Sequence, residues 1–170
     1  LEGIKILKKK YELTLDVVFT GNDKGNLNNI KKLIKKFDLN EQVHVLGFVT
    51  ENDLIQLYRN SKALIMPTYF GPNNIPPLEA FYYGVPVLYS NFDTLSVDFK
   101  ECIFSLDLDD PFNLAFQLNN IIKNPKLKDI KIKNGKKFLK LRETKQIQDT
   151  EVYNSIFKQY ISKMKNWKVE

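Results

Sequence analysis

Five short runs of branched and aromatic residues punctuate the chain, and helical stripes lie between them. The runs are Leu13–Thr20, Val43–Leu46, Ala63–Met66, Pro86–Tyr89 and Cys102–Leu106. Short continuous apolar runs suit strands buried on both faces, as in parallel sheets. In the first stripe Leu27, Ile30, Leu33, Ile34 and Phe37 step by three and four. Thr50-Glu51-Asn52-Asp53 reads as a capping-box-like start for a helix bearing Leu54, Leu57 and Tyr58. Asp110-Pro111 opens another, with Leu114, Ala115, Leu118, Ile121 and Ile122 on one face. Such alternation predicts an α/β domain: a Rossmann-like, doubly wound parallel sheet with helices on both faces. After Pro125 the strand-like runs stop, and two helices are predicted, over 126–143 and 148–164. Residues 1–125 therefore read as the core, and 126–170 as C-terminal helices of the same domain.

The run ending at Met66 empties into Pro67-Thr68-Tyr69-Phe70-Gly71-Pro72-Asn73-Asn74 and then Ile75-Pro76-Pro77-Leu78-Glu79-Ala80. Proline is tolerated at a helix start because its missing N–H would be unpaired there anyway. The backbone N–H groups just after the loop thus point into a positive helix end, which suits an anion such as a phosphate. Glu79 is expected on the first turn, an odd place for a carboxylate unless it binds hydroxyls. A diphosphate linked to a ribose satisfies both features.

Ile75–Ala80, followed by Gly84-Val85-Pro86-Val87-Leu88-Tyr89-Ser90, resembles the donor-binding signature of retaining GT-B glycosyltransferases of the large group 1 (GT4-type) family. The likeness extends back through Thr20-Gly21-Asn22 and Val45-Leu46-Gly47-Phe48-Val49, covering roughly residues 13 to 125. It implies the C-terminal, nucleotide-sugar half of a two-domain enzyme, with the N-terminal acceptor domain absent from this chain. The implied reaction moves a hexosyl group from a nucleotide diphosphate sugar to a glycan or lipid-linked acceptor, as in bacterial surface polysaccharide synthesis. This piece alone is expected to be inactive. By the same resemblance Gly47, Phe48 and Val49 flank the nucleobase and Leu54 packs below. Asn73, Asn74 and Ile75 offer backbone N–H groups to phosphate or sugar, Glu79 binds the ribose hydroxyls, and Gly21 closes a loop on the same edge.

Two departures stand out. The family pattern has a first glutamate eight residues before Glu79, where this chain has Gly71. No catalytic residue is therefore assigned, although Asn73 or Asn74 could take over its contact with the sugar. The family also places a strand ending in Gly-Arg, and then a Lys, just upstream of the segment resembling Leu1–Tyr11, central in the sheet. Neither is found in these residues.

At 170 residues the chain has the size of one domain. Its single cysteine, Cys102, excludes an internal disulfide, and no apolar run approaches the ~18 residues of a membrane span. A cytoplasmic protein, at most peripheral to the membrane's inner face, is expected. Asp107-Leu108-Asp109-Asp110 reads as a turn and helix cap before Pro111, so neither metal nor cofactor is expected. Residues 123–145 carry ten basic residues against two acidic ones, a surplus of eight in a chain of net charge +6. An anionic membrane surface could be the partner of such a helix. It lacks the Trp/Phe-rich edge of interfacial helices, however, so a solvated face is preferred, and no nucleic-acid motif accompanies the charge. Two alternatives to the enzyme follow: a degenerate, non-catalytic nucleotide-sugar module, suggested by Gly71, and an anionic-membrane-binding domain. Each glycine also has a plainer reading as a tight turn, Phe48 as a core aromatic and His44 as a structural or partly exposed strand residue.

Overall fold

The computed structural model describes residues 1–70 and 74–165, with side chains as far as 161. Its elements are α1 (Glu2–Tyr11), β1 (Val17–Thr20), α2 (Leu27–Lys36), β2 (Val43–Gly47), α3 (Glu51–Asn60) and β3 (Leu64–Met66). There follow α4 (Ile75–Tyr83), β4 (Val87–Ser90), α5 (Val97–Lys100), β5 (Ile103–Leu106), α6 (Pro111–Lys123) and α7 (Pro125–Lys165). The five strands coincide with the five apolar runs, and every pairing among them is parallel. The first strand is shorter than its run. Its ladder starts at Val17, where the backbone N–H donates to Gln42 O at 2.7 Å. Just upstream the Gln42 side chain, not a strand, takes the Leu15 carbonyl.

Caps set the helix starts as their chemistry requires. Thr50 Oγ1 accepts from Asp53 N at 3.2 Å and donates to the Asp53 carboxylate at 2.7 Å. Asp110 accepts from Phe112 N at 2.9 Å, with Pro111 at the first helical position. The Asp107 carboxylate accepts from Asp109 N at 3.0 Å, so this acidic run is the turn and cap its sequence suggests.

Alternation along β4 divides the core in two. Leu88 joins Ile4, Leu7, Phe104, Leu118 and Ile121 on one face. Val87 and Tyr89 join Tyr58, Ala80, Phe81, Phe99 and Ile103 on the other. Helices thus cover both faces, α1, α2 and α6 against one and α3, α4 and α5 against the other. The strands nevertheless form two hydrogen-bonded groups, β2-β1 and β3-β4-β5. Between the facing edges of β1 and β3 lies an apolar groove of about 1020 Å³, lined by Val17, Phe19, Leu64 and Ile65, with Leu118 and Ile121 against it.

The two helices predicted after Pro125 are one continuous helix, α7. Glu143-Thr144-Lys145-Gln146-Ile147 holds neither Gly nor Pro, so nothing breaks the ladder there. Its first half docks through Gly135, whose Cα lies so close to the Phe81 ring that an added Cβ would sit 2.5 Å from Phe81 Cδ1. Phe138 meets Phe81 and Phe99 edge to face. From Leu141 to Ile161 every residue is exposed.

Candidate functional site

Parallel strands bring their following loops to one edge of the sheet, where ligands of open α/β folds bind. Gly21 follows β1, Phe48 follows β2, Pro67 follows β3, and Ser90 ends β4. The two glycines at the head of the β1-β2 pair meet directly, Gly21 N donating to Gly47 O at 2.7 Å. Register slips between Phe19 and Thr20, so that Thr20 pairs with Gly47. Gly47 absorbs the slip at φ 70° and Gly21 turns away at φ 107°, both in the region that disfavours a side chain. No atom lies within 4 Å of where a Cβ would stand at either, so the space beside this turn is open.

Phe48 is 80% exposed and is not the core aromatic of its plainer reading. Val49 and Leu54 line the groove, together with Thr20 and Pro67. The loop after β3 is tied to β4, Thr68 N donating to the buried Ser90 Oγ at 2.8 Å. Gly71 and Asn73 lie outside the described residues. Asn74 is the N-cap residue of α4, yet its side chain turns inward and donates to Tyr89 Oη at 2.8 Å. What it leaves outside is backbone. Pro76 and Pro77 carry no N–H, so the donors of this helix start are those of Asn74 and Ile75. Ile75 is itself exposed.

Glu79 is the fifth residue of α4, on its second turn rather than its first. It is half-buried and accepts at Oε2 from the Tyr58 hydroxyl at 2.8 Å. With the neighbouring Tyr83 it lines a second cavity of about 520 Å³ between α3, α4 and α7, not the groove beside Val49. Leu54 and Tyr58 line both spaces. Burial, and then the bond to Glu79, hold the Tyr58 phenol in its protonated form to well above the usual pH.

The expected residues are thus divided among the sheet edge (Gly21, Gly47, Phe48), the groove (Val49, Leu54) and the helix start with its cavity (Asn74, Ile75, Glu79). In the sequence Tyr58 reads only as part of an apolar helix stripe. A buried tyrosine usually finds a partner for its hydroxyl, and that was the available signal. His44 is an exposed strand residue 3.4 Å from Asp16, apart from all of these groups.

Among the described residues this arrangement offers amide donors without a partner at a positive helix end and an exposed aromatic ring at the sheet edge, with a half-buried carboxylate lining a separate cavity. Its relatives are known proteins. The sequence is 32% identical over 90 residues to the serotype-specific mannosyltransferase WbdA of Escherichia coli, covering 52% of this chain but 11% of that protein. The fold matches the C-terminal domain of a glycosyl transferase group 1 family protein, LpcC, from Francisella tularensis. That match has a TM-score of 0.69 at 21% identity and covers 84% of this chain and 76% of that one. Anabaena HepE, solved in complex with UDP-glucose, matches with a TM-score of 0.69 at 19% identity, covering 89% of this chain and 43% of that chain. Because the sequence pattern of the glycosyl transferases group 1 family matches residues 1–138, the greater part of its length, the chain belongs to that family.

Proposed function

We propose that this chain is the donor-binding domain of a cytoplasmic glycosyltransferase that takes a sugar from a nucleotide diphosphate sugar, with retention of configuration. The observation that carries this is the pairing on α4 of a helix start whose amide donors have no partner among the described residues with a half-buried glutamate that lines a cavity. Such a helix start stabilises the diphosphate that leaves as the glycosidic bond breaks. The carboxylate accepts from ribose hydroxyls, each charge-assisted bond contributing about 1.5–3 kcal/mol. The HepE complex with UDP-glucose supports a donor of this class. An O-antigen chain mannosyltransferase of Escherichia coli, 24% identical over 95 residues, supports a bacterial surface glycan as acceptor.

The groove between β1 and β3 supports the division into domains. One further parallel strand there would join β2-β1 to β3-β4-β5. If it preceded α1 in the chain, the strand order would become the 3-2-1-4-5-6 of doubly wound dinucleotide folds. Its carboxyl end would then lie at the switch point, beside the loops already described. Such a strand, and an acceptor domain before it, belong to the longer enzyme that this chain spans in part.

Calorimetry with uridine, guanosine, adenosine and thymidine diphosphates and their sugar conjugates tests the reading. Selective binding of one base, lost on Glu79→Gln, is the expected result. Binding of none by a folded protein carrying the upstream strand would leave the degenerate module suggested by Gly71. Salt-sensitive binding to anionic vesicles, unaffected by nucleotide, would favour the membrane reading instead.

A further inference from the structure

We propose that Tyr58 is a positioning residue that aims the Glu79 carboxylate at a ligand bearing vicinal hydroxyls. The inference rests on the donor-site reading above and extends it to a residue on another helix. Tyr58 is only 7% exposed and stacks on Tyr83 with ring centroids 5.6 Å apart and planes at 14°. The Arg59 guanidinium lies 5.9 Å over the outer ring of that pair. Tyr58 thus has little freedom, and its hydroxyl sits against two points of α4. It lies 2.8 Å from Glu79 Oε2 and 3.4 Å from Pro76 O, and a single hydrogen favours the shorter contact.

The bond leaves the carboxylate half used. An ionised carboxylate has about four acceptor sites. Among the described residues Oε2 takes the one hydrogen bond from Tyr58, and Oε1 takes none. No basic side chain among them comes within ion-pair distance of Glu79. Oε1 is not sealed in the core either, since the one buried side-chain oxygen without a partner among the described residues belongs to Gln42. A strut between α3 and α4 would need only a neutral acceptor. A carboxylate held by one neutral donor, with its second oxygen unpaired among the described residues and its side chain lining a cavity, is arranged for an incoming pair of hydroxyl donors. With χ angles locked by the Tyr58 bond, less rotamer entropy is lost when such a ligand docks.

The test compares a nucleoside diphosphate with its 2′,3′-dideoxy counterpart by calorimetry on the wild-type protein, Tyr58→Phe, Glu79→Gln and the double variant. In the wild type the ribose form should bind roughly ten- to hundredfold more tightly. Tyr58→Phe should keep the dideoxy affinity and lose most of that preference, and the double variant should discriminate no less than Glu79→Gln. Equal loss for both ligands, or an intact preference, overturns the proposal while the donor site stands. A wild type that binds neither ligand, or does not discriminate, overturns the donor site and this proposal together. If Tyr58→Phe does not fold, 3-fluorotyrosine at position 58 keeps the shape and strengthens the donor. A shifted ribose preference then supports the inference, and an unchanged one overturns it.

Discussion

Glu79 shows at residue scale how a side chain legible from its spacing takes its energetics from a distant one. Its place behind Pro76-Pro77 singles it out as a candidate acceptor for hydroxyls, but the hydroxyl that it accepts from in the fold, that of Tyr58, is 21 residues away. A carboxylate on an exposed first turn could be truncated without structural cost; this one cannot. Glu79→Ala leaves the Tyr58 hydroxyl without its main acceptor, at a cost of about 1–3 kcal/mol, so the melting temperature should fall along with nucleotide affinity. Glu79→Gln keeps an acceptor and should lower affinity with little loss of stability, and the two variants compared in one thermal scan separate the effects. Cys102 makes a second residue-scale prediction. Burial pushes its thiol up from 9.0 to about 11, a rise that Lys131 opposes, and Sγ donates to Asp98 O at 3.0 Å. The folded chain therefore holds this proton more tightly than the unfolded chain. That contribution to stability is complete below pH 9 and is lost as pH rises toward 11. Urea unfolding at pH 8 and pH 10 should show a smaller decline for Cys102→Ala than for the wild type.

Element boundaries were legible wherever a local device sets them. Thr50 and Asp110 each open a helix through a side-chain oxygen that accepts from a backbone N–H, and Gly84, at φ 71° after α4, closes one through its own N–H, all within a few residues. The join inside α7 was not legible, because polar helix-forming residues between two apolar stripes read as a gap. How helices pack is a non-local matter, and two glycines record it. An added Cβ at Gly3 would lie 2.8 Å from the Pro111 carbonyl, and at Gly135 it would meet the Phe81 ring. In mid-helix, alanine in place of glycine ordinarily stabilises. Here overpacking reverses the sign, and Gly3→Ala and Gly135→Ala should each destabilise by about 1–3 kcal/mol in chemical denaturation.

At the scale of the whole molecule, α7 divides into a docked half and an exposed half. Val152, Tyr153, Ile156, Phe157 and Tyr160 all stand in solvent. Ending the chain after Ile147 should therefore change unfolding free energy by no more than about 0.5 kcal/mol, whereas ending it before Gly135 should cost the Phe81–Phe138 packing and lower the melting temperature clearly. Alternation of short runs and stripes was enough to establish the parallel α/β class, because period and length are local properties of the chain. The motif Ile75–Ala80 followed by Gly84–Ser90, with Thr20-Gly21-Asn22 and Val45–Val49 at their spacing, was enough to place the chain in its family. The class reading rests on backbone propensity, capping and turn chemistry, which act over a few residues, and the family reading on a resemblance of motifs that are themselves short. Only the tertiary structure decided that the strands form two groups with a groove between, that Phe48 faces solvent, that Asn74 turns inward to Tyr89 and that Glu79 is held by Tyr58. Each of these depends on which distant surfaces meet, and burial and hydrogen bonding across such contacts have no signature in the order of neighbouring residues.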